Sequence, residues 1–140
     1  VRSSYCYILC RIREALATLG IEVRHEGISD VAMDGRKISG NAQKRRRHHI
    51  LHHGTLLYAF DADLMRQCLP NPPDQPEYRR SRPHKDFLSV LPAPRTQLEK
   101  AVANTLGTTS IRGPLSGGEQ HALAKLVNEK YSRREWIQRR

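Results

Sequence analysis

The chain has 140 residues, 38% of them hydrophobic, and carries 24 Lys and Arg against 14 Asp and Glu, a net charge of +10. That length suits one domain with a real core, and no apolar run reaches the roughly 20 residues of a membrane helix, which excludes a spanning helix and leaves no membrane partner. Eighteen of the 24 cations are arginine, an excess that favours an acidic partner: a nucleic acid, an acidic carrier protein or a nucleotide phosphate.

The opening VRSSYCYILC carries one charge and a short apolar patch, and has the form of neither a signal nor a transit peptide. A first residue of valine suits a fragment, a processed product or one half of a split protein. Cys6, Cys10 and Cys68 show no metal-ligand spacing. They read as buried thiols in a reducing compartment, hence the cytoplasm.

Residues 4–19 form the first predicted helix, with Ile8, Ile12, Leu16 and Leu19 at helical spacing and Gly20 as its stop. A short strand follows from Ile21 to His25, and Gly27 interrupts it. Two further strands, 29–33 and 36–43, meet at Asp34-Gly35, a two-residue hairpin signal because both positions tolerate positive φ. Alternation then puts Lys37, Ser39, Asn41 and Gln43 on one face, and Ile38, Gly40 and Ala42 on the other. The second face can join a core; the first suits a polar pocket. A lone lysine among small polar residues suits a carbonyl or a phosphate better than it suits packing.

Lys44 to Arg47 is a run of four cations in a charged connection ending at His49, and 50–60 reads as another strand with Gly54 allowing close approach. His48, His49, His52 and His53 form an H-H-x-x-H-H pattern that lacks the glutamate of a zinc protease. Asp61 or Asp63 can cap a short helix through Cys68. Pro70, Pro72, Pro73 and Pro76 enforce an extended linker over 70–83. The remainder, 84–140, reads as helical: a brief helix at 84–91, one to Leu106 with Thr96 and Glu99 as a capping box, and one through Tyr131 opened by Ser116 and Glu119. Helix, strands, then helices make an α/β or α+β layer with a mixed or antiparallel sheet, read as a single partial domain over 1–140.

The run GISDVAMDGRKISGNAQ followed by HHGTLL resembles the central signature of the lipoate–protein ligase family, which shares a catalytic fold with biotin ligases and octanoyltransferases. PEYRRSRPHKDFLSVL and LVNEKYSRREWIQRR are similar to later parts of such ligases. The resemblance implies ATP-dependent activation of lipoate or octanoate to an acyl-adenylate, with Mg²⁺, and transfer to a lysine of an acidic lipoyl carrier, either a lipoyl domain or a glycine-cleavage H-type protein. It assigns Lys37 to the developing charge on carbonyl and phosphate. It places Asp30 near the adenylate or its magnesium, although Ser29 stands where the family often has asparagine. Ser39, Gly40, Asn41, His53, Gly54 and Thr55 would line the same pocket, and Lys44, Arg45, Arg46 and Arg47 would dock the carrier.

The Arg-Arg and Gly-Gly-Gly segment usual upstream in these ligases has no counterpart here, so the resemblance implies a truncated enzyme or one completed by a separate N-terminal ligase half. Some octanoyltransferases of the superfamily use a cysteine nucleophile just ahead of the hairpin. Residues 20–60 contain none, which favours acyl-adenylate chemistry or a non-catalytic carrier-binding role. A basic nucleic-acid-binding module is the other alternative, and aromatics at 6% with none interleaved in the basic run argue against it.

Overall fold

Helix α1, Arg2–Ala17, buries Tyr5, Leu9, Ala15 and Leu16. The expected stripe held at Leu16, with Ile12 and Leu19 packed against the core, and was one position off at its start: Leu9 is fully buried and Ile8 only partly so. Positions 5, 9, 12 and 16 follow a 3.6-residue period and hold one face. Gly20 ends the helix at φ +73, a left-handed position that costs glycine nothing. The structure, a computed structural model, describes residues 2–107 and 113–139. It forms two compact units, Val1–Thr108 and Thr109–Arg140.

In the first unit the chain turns from α1 into β1 (Arg24–Glu26), β2 (Asp30–Met33), β3 (Arg36–Arg45) and β4 (Ile50–Gly54). They form a four-stranded sheet in the order β1-β2-β3-β4, antiparallel throughout. Asp34 at φ +51 and Gly35 at φ +70 make the hairpin turn whose twist matches the flanking strands. β4 is shorter than the expected 50–60. Beyond Gly54 the backbone still tracks β3, with Thr55 N–H donating to Gly40 O at 3.1 Å and Leu57 N–H to Ile38 O at 2.9 Å.

Asp61 caps α2 (Ala62–Cys68), its carboxylate accepting from the N–H groups of Asp63 and Leu64. The linker expected to be extended over 70–83 instead holds a bend at 73–74 and a 3-10 turn, Glu77–Arg79, before α3 (His84–Phe87). Leu88 then leaves the helix to pair with Lys37 in a parallel bridge. Helix α4 (Arg95–Thr105) starts after Pro94, not at a Thr96 capping box; Glu99 instead pairs with Arg95 at 2.7 Å. The core joins Tyr5, Leu9 and Leu16 of α1 with Ile21, Val23, Val31, Ile38, Leu91 and Leu98. Each fully buried aliphatic side chain there contributes on the order of 2 kcal/mol of burial free energy.

In the second unit, Ser116 and Glu119 form the expected capping box for α5 (Gly117–Leu126), which runs on through a π-helical turn, Val127–Tyr131, before α6 (Arg134–Ile137). Residues 108–112, inside the stretch expected to be helical, and Arg140 in the basic tail lie outside the described residues. Among the described residues no helix is long and apolar enough to cross a membrane.

Candidate active site

The register between β2 and β3 decides where Lys37 goes. Val31 pairs with Ser39 and Ala32 with Lys37, so Ile38 between them has no partner of its own and forms a β-bulge. Ile38 and Ser39 are consequently buried side by side, at 0% and 2% exposure. The bulge breaks simple alternation and brings Lys37 onto the face of Gly40, opposite to the expected grouping. A Cβ on Gly40 would meet Lys37 Cε at 3.0 Å and Nζ at 3.1 Å, so the bare glycine makes the shelf on which the lysine lies.

Lys37 Nζ is fixed there by Asp30, whose Oδ1 lies 2.8 Å away, and Asp30 pairs with Gly40 across the strands. Asp30 is the first residue of β2 and only 7% exposed. Its other oxygen accepts from the Tyr78 hydroxyl at 2.8 Å. Burial first, and the Asp30 carboxylate second, push the Tyr78 phenol above its ordinary value, so it stays protonated and donates. A buried carboxylate is tolerable here because a cation and a hydroxyl satisfy it together.

The pairs Ala42–His53 and Lys44–Leu51 continue the same face along β3 and β4. His53, Lys44 and Leu51 are exposed on it, so this end of the sheet face is bare. Lys37, Asp30, Gly40 and His53 of the expected site are thus brought to one face.

Ser39 and Asn41 are not. Asn41 Nδ2 donates to Ser29 O at 2.7 Å and to Ser39 Oγ at 3.0 Å. Gln43 Nε2 donates to His52 Nδ1 at 3.2 Å, and His52 Nε2 donates to Asn41 Oδ1 at 3.3 Å, which selects the neutral Nε2–H tautomer. Burial first, then neighbouring His53, lower the His52 pKa and favour the same form. Ser4 of α1 donates to Gln43 Oε1 at 2.9 Å, and the Tyr5 ring meets His52 edge-on at 5.8 Å. These residues anchor the sheet to α1. Gly54 is part of that anchor: a Cβ there would land on Asn41 Oδ1. Thr55 is exposed and joins the sheet through its backbone.

Sequence reasoning missed two residues. His52, not His53, is the histidine wired into a network, and Tyr78 reaches Asp30 from 48 positions away. The Glu-Tyr-Arg-Arg run carried no signal of that reach. The four cations Lys44 to Arg47 do not form one patch. Lys44 lies on the Lys37 face, while Arg45 donates to Ser4 Oγ and Gln43 Oε1 on the α1 side, and Arg46 and Arg47 lie in the turn. Cys6, Cys10 and Cys68 are all exposed, not buried: α1 turns the face opposite Cys6 and Cys10 to the core, and Cys68 ends α2, which buries no residue.

For magnesium the donor set is a single carboxylate, Asp30, with one oxygen held by Lys37 and the other by Tyr78. Among the described residues no cluster of three His, Cys, Asp or Glu accompanies it. Magnesium on a nucleotide uses one or two free carboxylates, so these residues by themselves do not fit the ion.

The family model for the lipoyl protein ligase A/B catalytic domain matches residues 1–112. The chain belongs to that family. Lipoate-protein ligase LplJ of Bacillus subtilis is 49% identical over 45 residues, 32% of this chain and 14% of the relative. Octanoyltransferase LipM of Kyrpidia tusciae is 29% identical over 121 residues, 79% of this chain and 44% of the relative. The fold is that of a solved lipoate-protein ligase A bound with ATP, with a TM-score of 0.78 at 19% identity, covering 97% of this chain and 58% of the other. The chain therefore spans less than half the length of these two curated relatives. Family members are lipoate ligases and octanoyltransferases, and both are enzymes that handle an acyl group.

Proposed function

We propose that this chain supplies the lysine-bearing part of a lipoate–protein ligase site, one that activates lipoate or octanoate with ATP and passes the acyl group to a carrier lysine. The observation that carries the reading is the Lys37 ammonium, held by buried Asp30 over Gly40 where the covered part of the sheet face meets its exposed end. An ammonium has three N–H donors. Asp30 takes one, and two remain for an acyl carbonyl and a phosphate oxygen.

In the first half-reaction the acyl carboxylate attacks the α-phosphorus of ATP and pyrophosphate leaves. In the second, a carrier amine attacks the acyl carbonyl and AMP leaves. Negative charge grows on phosphate oxygens in the first step and on the carbonyl oxygen in the second. A fixed cation on a partly desolvated surface stabilises both without reorganising.

The exposed end of that face also supports dependence on a second polypeptide segment, an N-terminal ligase half, to close the pocket. The partner would be an acidic lipoyl carrier, matched to the +10 charge of this chain, and the setting a reducing one such as the cytoplasm, where three exposed thiols stay free.

The test is acyl transfer from lipoate, ATP and Mg²⁺ to an apo lipoyl carrier, read by intact mass, with this chain alone and with an added N-terminal half. A lipoyl mass gain that needs the added half and falls at least about 100-fold in Lys37→Ala is the expected result. The octanoyltransferase relative supports a second reading, transfer without activation. Transfer from an octanoyl carrier in the absence of ATP would favour it over the ligase.

A further inference from the structure

The segment after the proline-rich stretch is built around one ring. Phe87 is 2% exposed and packs against Tyr78 at 5.1 Å between centroids. The Arg79 guanidinium lies 4.7 Å from the Phe87 ring centre and that of Arg82 lies 5.5 Å away. Arg79, only 4% exposed, donates to Arg82 O and to Asn71 Oδ1. Arg82 donates back to Arg79 O and Tyr78 O, and reaches Gly35 O in the hairpin turn at 2.8 Å. Between the two arginines, Arg80 and Ser81 both sit at positive φ, +50 and +57, a reversal that non-glycine residues adopt only when their surroundings impose it.

This clamp fixes Tyr78 in place and ties it to the hairpin that carries Lys37. We propose that Tyr78 is a positioning residue: its hydroxyl holds Asp30 Oδ2, so that Asp30 Oδ1 holds the Lys37 ammonium over Gly40. A carboxylate tethered at one oxygen only can rotate about its Cβ–Cγ bond. One tethered at both presents a fixed acceptor. The tyrosine touches Asp30 and not Lys37, so it acts on the lysine through the carboxylate.

Only the kinetic arm of the test rests on the ligase reading. The first arm is pulse labelling of amines with acetic anhydride, resolved residue by residue by mass spectrometry, on wild type, Tyr78→Phe and Asp30→Asn. Tyr78→Phe keeps the ring against Phe87 and removes only the donor. Lys37 is expected to label about fivefold faster in Tyr78→Phe, the factor one hydrogen bond carries, and at least as fast in Asp30→Asn, with Lys44 and Lys85 unchanged. Wild-type labelling of Lys37 in Tyr78→Phe would overturn the proposal. Faster labelling of all three lysines together would also overturn it, because that marks a merely structural tyrosine.

The second arm is steady-state acyl transfer in the reconstituted mixture. Tyr78→Phe is expected to lower kcat about fivefold with KM for lipoate unchanged, and to add nothing in an Asp30→Asn background. A full additional loss in that background would overturn the proposal. If no variant and no wild type transfers an acyl group, the ligase reading fails, and the labelling arm alone still decides the role of Tyr78.

Discussion

The two faces of β3 carry two different kinds of glycine contact. On the Lys37 face, Gly40 lies under Lys37 Cε and Nζ, the end of a flexible side chain. On the α1 face, Gly54 meets the amide of Asn41, which is tied to Ser29, Ser39 and His52. The same absent Cβ seats an ion-paired ammonium in one place and a hydrogen-bonded amide in the other.

The largest effect expected on the packed side is at Leu9, which is fully buried. Leu9→Ala should lower stability by about 2–5 kcal/mol in a urea titration. A loss below about 1 kcal/mol would mean that α1 is not the lid of this core. Next, Gly54→Ala displaces the Asn41 amide and leaves its partners unsatisfied, and should cost about 1–3 kcal/mol. Lys37 should label at the wild-type rate in that variant. Gly40→Ala inverts the pattern: the end of the lysine need shift only a few tenths of an ångström and can keep its Asp30 partner, so stability should change by less than about 1 kcal/mol. Acyl transfer in the reconstituted mixture should nevertheless fall about tenfold or more, since the ammonium shifts from its place. Equal stability losses at Gly40 and Gly54 would erase the distinction between the faces.

The smallest effect concerns pH. Burial and His53 lower the His52 pKa, so the folded state resists a proton that the unfolded chain accepts near pH 6.5. The contribution of neutral His52 is therefore complete above about pH 6.5 and is lost as pH falls through the lower folded value. Thermal unfolding between pH 7.5 and 5 should show a shallower decline in His52→Gln than in wild type. An identical slope would show that the imidazole is not held neutral.

Much of the frame was legible because its signals are local. Asp34-Gly35 named the hairpin, Gly20 the end of α1, Asp61 or Asp63 a cap, which the structure gives to Asp61, and Ser116 with Glu119 a capping box, each through backbone geometry that neighbouring residues set. Lys37 and Asp30 stood out by motif, and the structure joins them. Facing was less legible. Periodicity placed Leu16 but took Ile8 for Leu9 in α1, because the two are equally apolar and only the sheet beneath chooses between them. Strict alternation likewise put Lys37 with Ser39, because a bulge is a property of two paired strands and not of one.

The sequence by itself determined which segments turn, which pair with their neighbours, and that a single lysine sits among small polar residues in the hairpin. Only the tertiary structure decided which face that lysine occupies and what holds it there. The register slip at Ile38 sets the face, and Tyr78 closes on Asp30 across 48 residues of chain. Both depend on contacts between segments distant along the chain, and such contacts leave no periodic mark on either segment.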